Sequence, residues 1–123
     1  MREQNYSGIH MKSNHDDIRS VRWLKLRESI LRRDGYLDQE AKRYGKRIEA
    51  DHVHHIFPRE YFPELTFTPW NLISVSRSTH NKLHDRDSHK LTAAGIELMQ
   101  RTARKNNIDL APEILELVRA ERK

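Results

Sequence analysis

Three prolines in fifteen residues, Pro58, Pro63 and Pro69 in "FPREYFPELTFTPWN" (57–71), divide the chain more firmly than any other feature. Proline fixes φ and has no backbone N–H, so neither a helix nor a central ladder strand runs through this stretch. It must be a loop, held by its aromatic residues Phe57, Tyr61, Phe62, Phe67 and Trp70. On either side lie two short extended runs. "IEADHVHHI" precedes it, with Val53 and Ile56 as strand formers, and "NLISV" follows it.

The remaining segments read as helices. "DIRSVRWLKLRESILRR" (17–33) sets Trp23, Leu26 and Ile30 at i, i+3 and i+7 with Arg and Lys between them, an amphipathic helix with a basic outer face. "RDGY" ends it, with Gly35 as the cap. "SRSTHNKLHDRDSHK" is expected to be helical behind a Ser76 or Ser78 cap. Another helix is expected from Ala93 to Lys105 behind Thr92, and a last one from Pro112 with Ile114, Leu117 and Val118 on one face. Residues 1–16 lack periodicity and read as a loose tail in which His10 and His15 are bystanders. The expectation is an α+β domain, mostly helical, over residues 17–105, with residues 106–123 as a helix packed upon it.

The net charge of +5 is uneven: residues 1–18 carry −1, residues 19–49 carry +5 and residues 50–123 carry +1. A basic excess in one segment fits either a polyanion partner or a solvated helix face. The chain has no cysteine, which excludes disulfides, thiol nucleophiles and thiolate metal sites. No apolar run approaches the roughly 18 residues that span a bilayer and no apolar leader opens the chain, so a cytoplasmic protein without membrane contact is expected.

Histidines mark the chemistry. "DHVHHIFP" (51–58) holds three in four residues, and "HNKLH" sets His80 and His84 four apart, on one face of the expected helix. Such a pair can bind one metal ion or can stand there by coincidence. Strand alternation is at odds with one shared site for His54 and His55, unless the strand breaks before Pro58. His52 shares a face with His54 and reads as solvent-facing or supporting. Asp51 could accept a hydrogen bond from a liganding histidine.

"VHHIFP" followed by "WNLISVSRSTHNKLH", with intervals of 16 from His55 to Asn71, 9 to His80 and 4 to His84, resembles the HNH endonucleases. The resemblance covers roughly residues 23–98, and the flanks look like those of small phage-type members. It implies a ββα-metal core, a short hairpin followed by a helix. On that pattern His54, His80 and His84 would hold a divalent ion, His55 would be the general base, and Asn71 would fix the loop and orient the base. DNA is the implied substrate, with a 5′ phosphate and a 3′ hydroxyl as products. Phosphate contacts are expected from Arg22, Lys25, Arg32 and Arg33 on the first helix, and from Arg77, Lys82 and Arg86 on the histidine helix.

A three-imidazole set suits zinc or nickel better than magnesium, so the ion stays open among manganese, nickel, magnesium and zinc. Many related sequences also carry two CxxC pairs around a structural zinc. Here the matching positions are Asp38, Ala41, Ser76 and Thr79, which offer no thiolate, so no structural zinc is expected. The phage-like flanks imply a packaging role beside a terminase. Two alternatives stand beside the nuclease reading: a DNA-binding or assembly module of the same fold without catalysis, and a structural metal site with no nucleic acid.

Overall fold

The computed structural model describes residues 19–121, so the expected tail with His10 and His15 lies outside the described residues. The elements are α1 (Val21–Arg33), α2 (Gln39–Lys42), β1 (His52–His55), β2 (Leu72–Val75), α3 (Arg77–Leu83), α4 (Ala93–Lys105) and α5 (Pro112–Val118). Among the described residues no helix is long and apolar enough to cross a membrane.

Helix α1 begins at Val21, and the Asp17–Ile18 part of the expected helix lies outside the described residues. Ser20 is extended, and its hydroxyl takes the Trp23 N–H at 3.0 Å, supplying the partner that the first turn lacks. The helix ends as expected at Gly35, whose φ of +65° lets Gly35 N–H reach Arg32 C=O while Tyr36 N–H reaches Leu31 C=O.

Strands β1 and β2 pair antiparallel in one ribbon, with His52 opposite Val75, His54 opposite Ile73 and His55 opposite Leu72. The loop between them is ordered, and Pro63 and Pro69 each open a single 3₁₀ turn within it. The ribbon is the middle layer of the domain. Val53 and Leu72 face Trp23, Leu26 and Ile30 of α1, together with Phe67. On the other face Ile73 and Val75 join the larger core of Ile56, Phe57, Leu83, Leu91, Ile96, Leu98, Met99, Ala103 and Val118.

The outer side of β2, turned away from β1, is met by side chains. Arg33 Nη2 donates to Leu72 C=O at 2.8 Å, Ser74 N–H donates to Asp34 Oδ2 at 3.0 Å, and Ser76 N–H donates to Asp38 Oδ2 at 2.8 Å. Each would otherwise be an unmatched backbone group beside the core.

Two helix expectations are corrected. Helix α3 opens on its Ser76 cap but stops at Leu83 instead of running through "HDRDSHK". His84 is already extended (φ −119°, ψ 146°), and the Asp85 carboxylate takes the Ser88 N–H and hydroxyl, a local turn that competes with the helix. In α5, Val118 is buried and Ile114 and Leu115 are half-buried, while Leu117 is 46% exposed. At about 100° per residue Leu117 lies a quarter-turn from Val118, off the inward face. Helix α4 has the expected bounds, with Thr92 as its cap.

Candidate active site

His54 is fully buried (0% exposed), and neither of its ring nitrogens has a hydrogen-bond partner. Burying two polar atoms unmatched costs free energy on the order of 1–3 kcal/mol per group, so an imidazole left this way calls for an explanation. The surroundings supply one. Ring nitrogens of His54, His80 and His84 all lie within 4.8 Å of one another. The rings meet edge to face, with centroids 5.6 Å apart for His54 and His80, 4.8 Å for His54 and His84, and 4.9 Å for His80 and His84. Three neutral imidazoles around a common point are a ligand set for one divalent ion, and these residues fit it.

The sequence places them there in three ways. His54 follows from strand alternation on the face shared with Ile73 and Val75. His80 stands in the last turn of α3. His84 is not on the helix but caps its end, and its extended backbone still turns the ring toward His80.

Electrostatics keep the group uncharged. Burial, then the neighbouring His84, His80 and His55, drives the His54 pKa well below the usual imidazole range. Burial and the neighbours His84, His52 and His55 lower His80 to about 4. Burial also lowers His84, although backbone hydrogen bonds at His89 and Lys90 oppose the shift. Neutral imidazole is the form that ligates metal.

His55 lies elsewhere. Strand β1 ends at His55, ahead of Pro58, but the ladder is unbroken between His54 and His55, so no break brings the two to one face, and alternation turns His55 to the α1 face. There its ring stacks on Trp23, with centroids 5.1 Å apart and planes 19° apart. Its Nε2 lies 3.0 Å from Thr66 C=O. A carbonyl only accepts, so Nε2 carries the hydrogen and Nδ1 keeps its lone pair. Burial foremost, then the charges of Arg59 and His84, lowers His55 to about 4, against the opposing Thr66 contact. Although turned to the α1 face, His55 stands within electrostatic reach of His54, His80 and His84, so protonating any one of them opposes protonating the others.

Asn71 is buried and ties the loop together. Its Oδ1 accepts from Phe57 N–H at 2.7 Å, and its Nδ2 donates to Phe57 C=O at 3.1 Å and Leu65 C=O at 3.2 Å. These bonds go to the loop and not to His55; the link to His55 runs through the Leu65–Thr66 segment. Asp51 bonds His52 Nδ1 at 2.8 Å rather than His54, His80 or His84. His52 in turn stacks on His80, with centroids 5.4 Å apart.

All seven basic residues singled out from the sequence are exposed. Arg22, Lys25, Arg32 and Arg33 lie on α1 and Arg77 and Lys82 on α3, but Arg86 falls beyond the end of α3. Several guanidinium groups have partners within the fold. Arg33 donates to Leu72 C=O, Pro69 C=O and Asp34, Arg22 lies 3.8 Å over the Phe67 ring, and Arg32 is 3.8 Å from Glu28. Sequence reasoning missed Trp23 and Arg59 as neighbours of His55. Trp23 carried only a core signal, and nothing local marks Arg59.

The four positions matching the absent cysteines come together. Asp38, fully buried, accepts from Ala41 N–H through Oδ1 and from Ser76 N–H through Oδ2, both at 2.8 Å, and the Thr79 side chain also hydrogen-bonds to it. Ser76 Oγ reaches Thr79 Oγ1 at 3.2 Å. Burial pushes the Asp38 carboxyl up, but the hydrogen bonds of Thr79, Ala41 and Ser76 outweigh it and hold its pKa below the usual carboxylate value.

An antiparallel pair and a following helix around converging histidines constitute the ββα-metal fold of the HNH endonucleases. The structure matches that of an HNH endonuclease of the deep-sea thermophilic bacteriophage GVE2, solved with a manganese ion, with a TM-score of 0.55 and 25% sequence identity. The match covers 65% of this chain and 88% of the phage chain. No family model matches the sequence, and no curated protein does.

Proposed function

We propose that this protein is a metal-dependent endonuclease that hydrolyses DNA phosphodiester bonds. The observation that carries the reading is the buried, partnerless His54 imidazole within 4.8 Å of His80 and His84, on a ribbon whose next residue is a neutral histidine with an oriented ring. The likeness to a manganese-containing phage HNH endonuclease supports it.

In this reading His54, His80 and His84 hold one divalent ion. The bound ion would supply stabilisation of charge on a phosphoryl oxygen and on the 3′ leaving oxygen. His55 acts as the base. Thr66 C=O holds the hydrogen on Nε2, Trp23 keeps the ring flat against α1, and Nδ1 takes a proton from the attacking water. Asn71 serves by fixing the loop that presents Thr66. Exposed Lys25, Arg77, Lys82 and Arg86, with Arg22 and Arg32, offer contacts to backbone phosphates. Such contacts carry no base identity, and weak sequence specificity follows.

The test is cleavage of supercoiled plasmid with manganese, nickel or magnesium, comparing the protein with His55→Ala. Nicked or linear product from the unaltered chain alone is expected. Intact plasmid with every metal, while binding persists, defeats the enzyme reading and leaves a DNA-binding module of the same fold.

A further inference from the structure

Helix α3 carries His80 and ends at His84, so the metal group depends on where the amino end of this seven-residue helix sits. Three features hold that end: β2, which leads into it, the Ser76 hydroxyl, which takes the Thr79 N–H at 3.2 Å, and the Asp38 carboxylate. Asp38 reaches it across 38 residues of sequence, taking the N–H of the Ser76 cap at 2.8 Å. Its other oxygen takes the Ala41 N–H, so one buried carboxylate caps the start of α2 and receives the start of α3 together. The Thr79 contact lies one residue before His80. Glu40, beside Ala41, pairs with Arg101 of α4 at 2.8 Å, anchoring α2 from its other side.

Resting on the metal-site reading above, we infer that Asp38 is a positioning residue whose carboxylate fixes the amino end of α3 and thereby sets His80 and His84 against His54. The side chain is acceptor-only when ionised and faces only donors, so both oxygens are used. Asparagine would turn an NH₂ group toward a backbone N–H, keeping the volume while breaking one side of the link. The start of α3 would then be held by β2 and the Ser76 hydroxyl alone, and a metal site needs its ligands held to within about 0.5 Å.

The test uses the full chain and Co²⁺ as probe. Affinity is measured calorimetrically and the visible Co²⁺ absorption recorded, at a temperature where circular dichroism reports each protein as folded. Asp38→Asn is expected to bind Co²⁺ at least tenfold more weakly, with an altered Co²⁺ spectrum. A role in stability alone would lower the melting temperature and leave both readouts of the folded protein as they were; that result overturns the inference. If Asp38→Asn does not fold, Thr79→Val, which takes the Thr79 hydroxyl away from both Asp38 and Ser76, decides: two- to fivefold weaker binding supports the inference and unchanged binding overturns it. Absence of Co²⁺ binding by the unaltered chain, matched by His80→Ala, instead removes the metal-site reading beneath it.

Discussion

The His55 imidazole lies flat on the Trp23 indole, its centroid 5.1 Å from that of the indole, and its Nε2 points at Thr66 C=O. Two constraints, a stacking plane and a hydrogen bond, leave the ring one orientation. Trp23→Phe keeps an aromatic plane and is expected to retain most cleavage. Trp23→Leu removes the plane and should lower kcat about tenfold or more with Co²⁺ affinity unchanged. Equal kcat for the two variants in plasmid assays would show that the stack does not orient His55 for the proposed proton transfer.

The histidines of "DHVHHIFP" should separate by substitution. His54→Ala removes a proposed ligand, and its metal affinity should fall beyond the roughly 10–100-fold that loss of an outer partner costs. His55→Ala should bind metal and not cleave. His52→Ala loses only the stack on His80 and the Asp51 contact and should keep most activity. Parallel calorimetry and plasmid cleavage on the three variants check the assignment, and uniform loss contradicts it.

Acid should destabilise the metal-free protein over a defined window. His55 and His80 are lowered from 6.5 to about 4, chiefly by burial, so the unfolded chain binds protons that the folded chain refuses. Stability is full above about pH 6.5 and falls as pH drops toward 4, with His55 alone contributing on the order of 2 kcal/mol of loss. Thermal melts between pH 7.5 and 4 measure it. His55→Gln should flatten the slope.

Asn71 makes three buried side-chain bonds to the loop, and Asn71→Ala leaves their partners unmatched. A loss of about 2–4 kcal/mol is expected in denaturant unfolding. Where the variant is folded, cleavage should drop more than metal affinity, because Thr66 loses its fixed position while α3 does not.

Features set by neighbours in sequence were legible from the chain alone. Thr92 and Ser76 as caps, both strands, the α4 bounds and the Trp23–Leu26–Ile30 face follow from local hydrogen bonding and periodicity. Histidines 54, 80 and 84 were legible through the family's spacing. Hidden were the relationships that cross the sequence. His84 left the helix because Asp85 caps Ser88, a competition that spacing does not reveal. His55 found Trp23 across 32 residues, and Asp38 found Ser76 across 38, by tertiary packing that no single segment specifies.

The side chains along the outer side of β2 have one more consequence. A two-stranded ribbon ordinarily leaves a row of unclaimed N–H and C=O groups, a template on which another chain can add a strand. Here Arg33, Asp34 and Asp38 occupy the rungs at Leu72, Ser74 and Ser76. The connection after α1 does the work of a third strand with side chains alone, and β-augmentation on that side would first have to evict two carboxylates and a guanidinium.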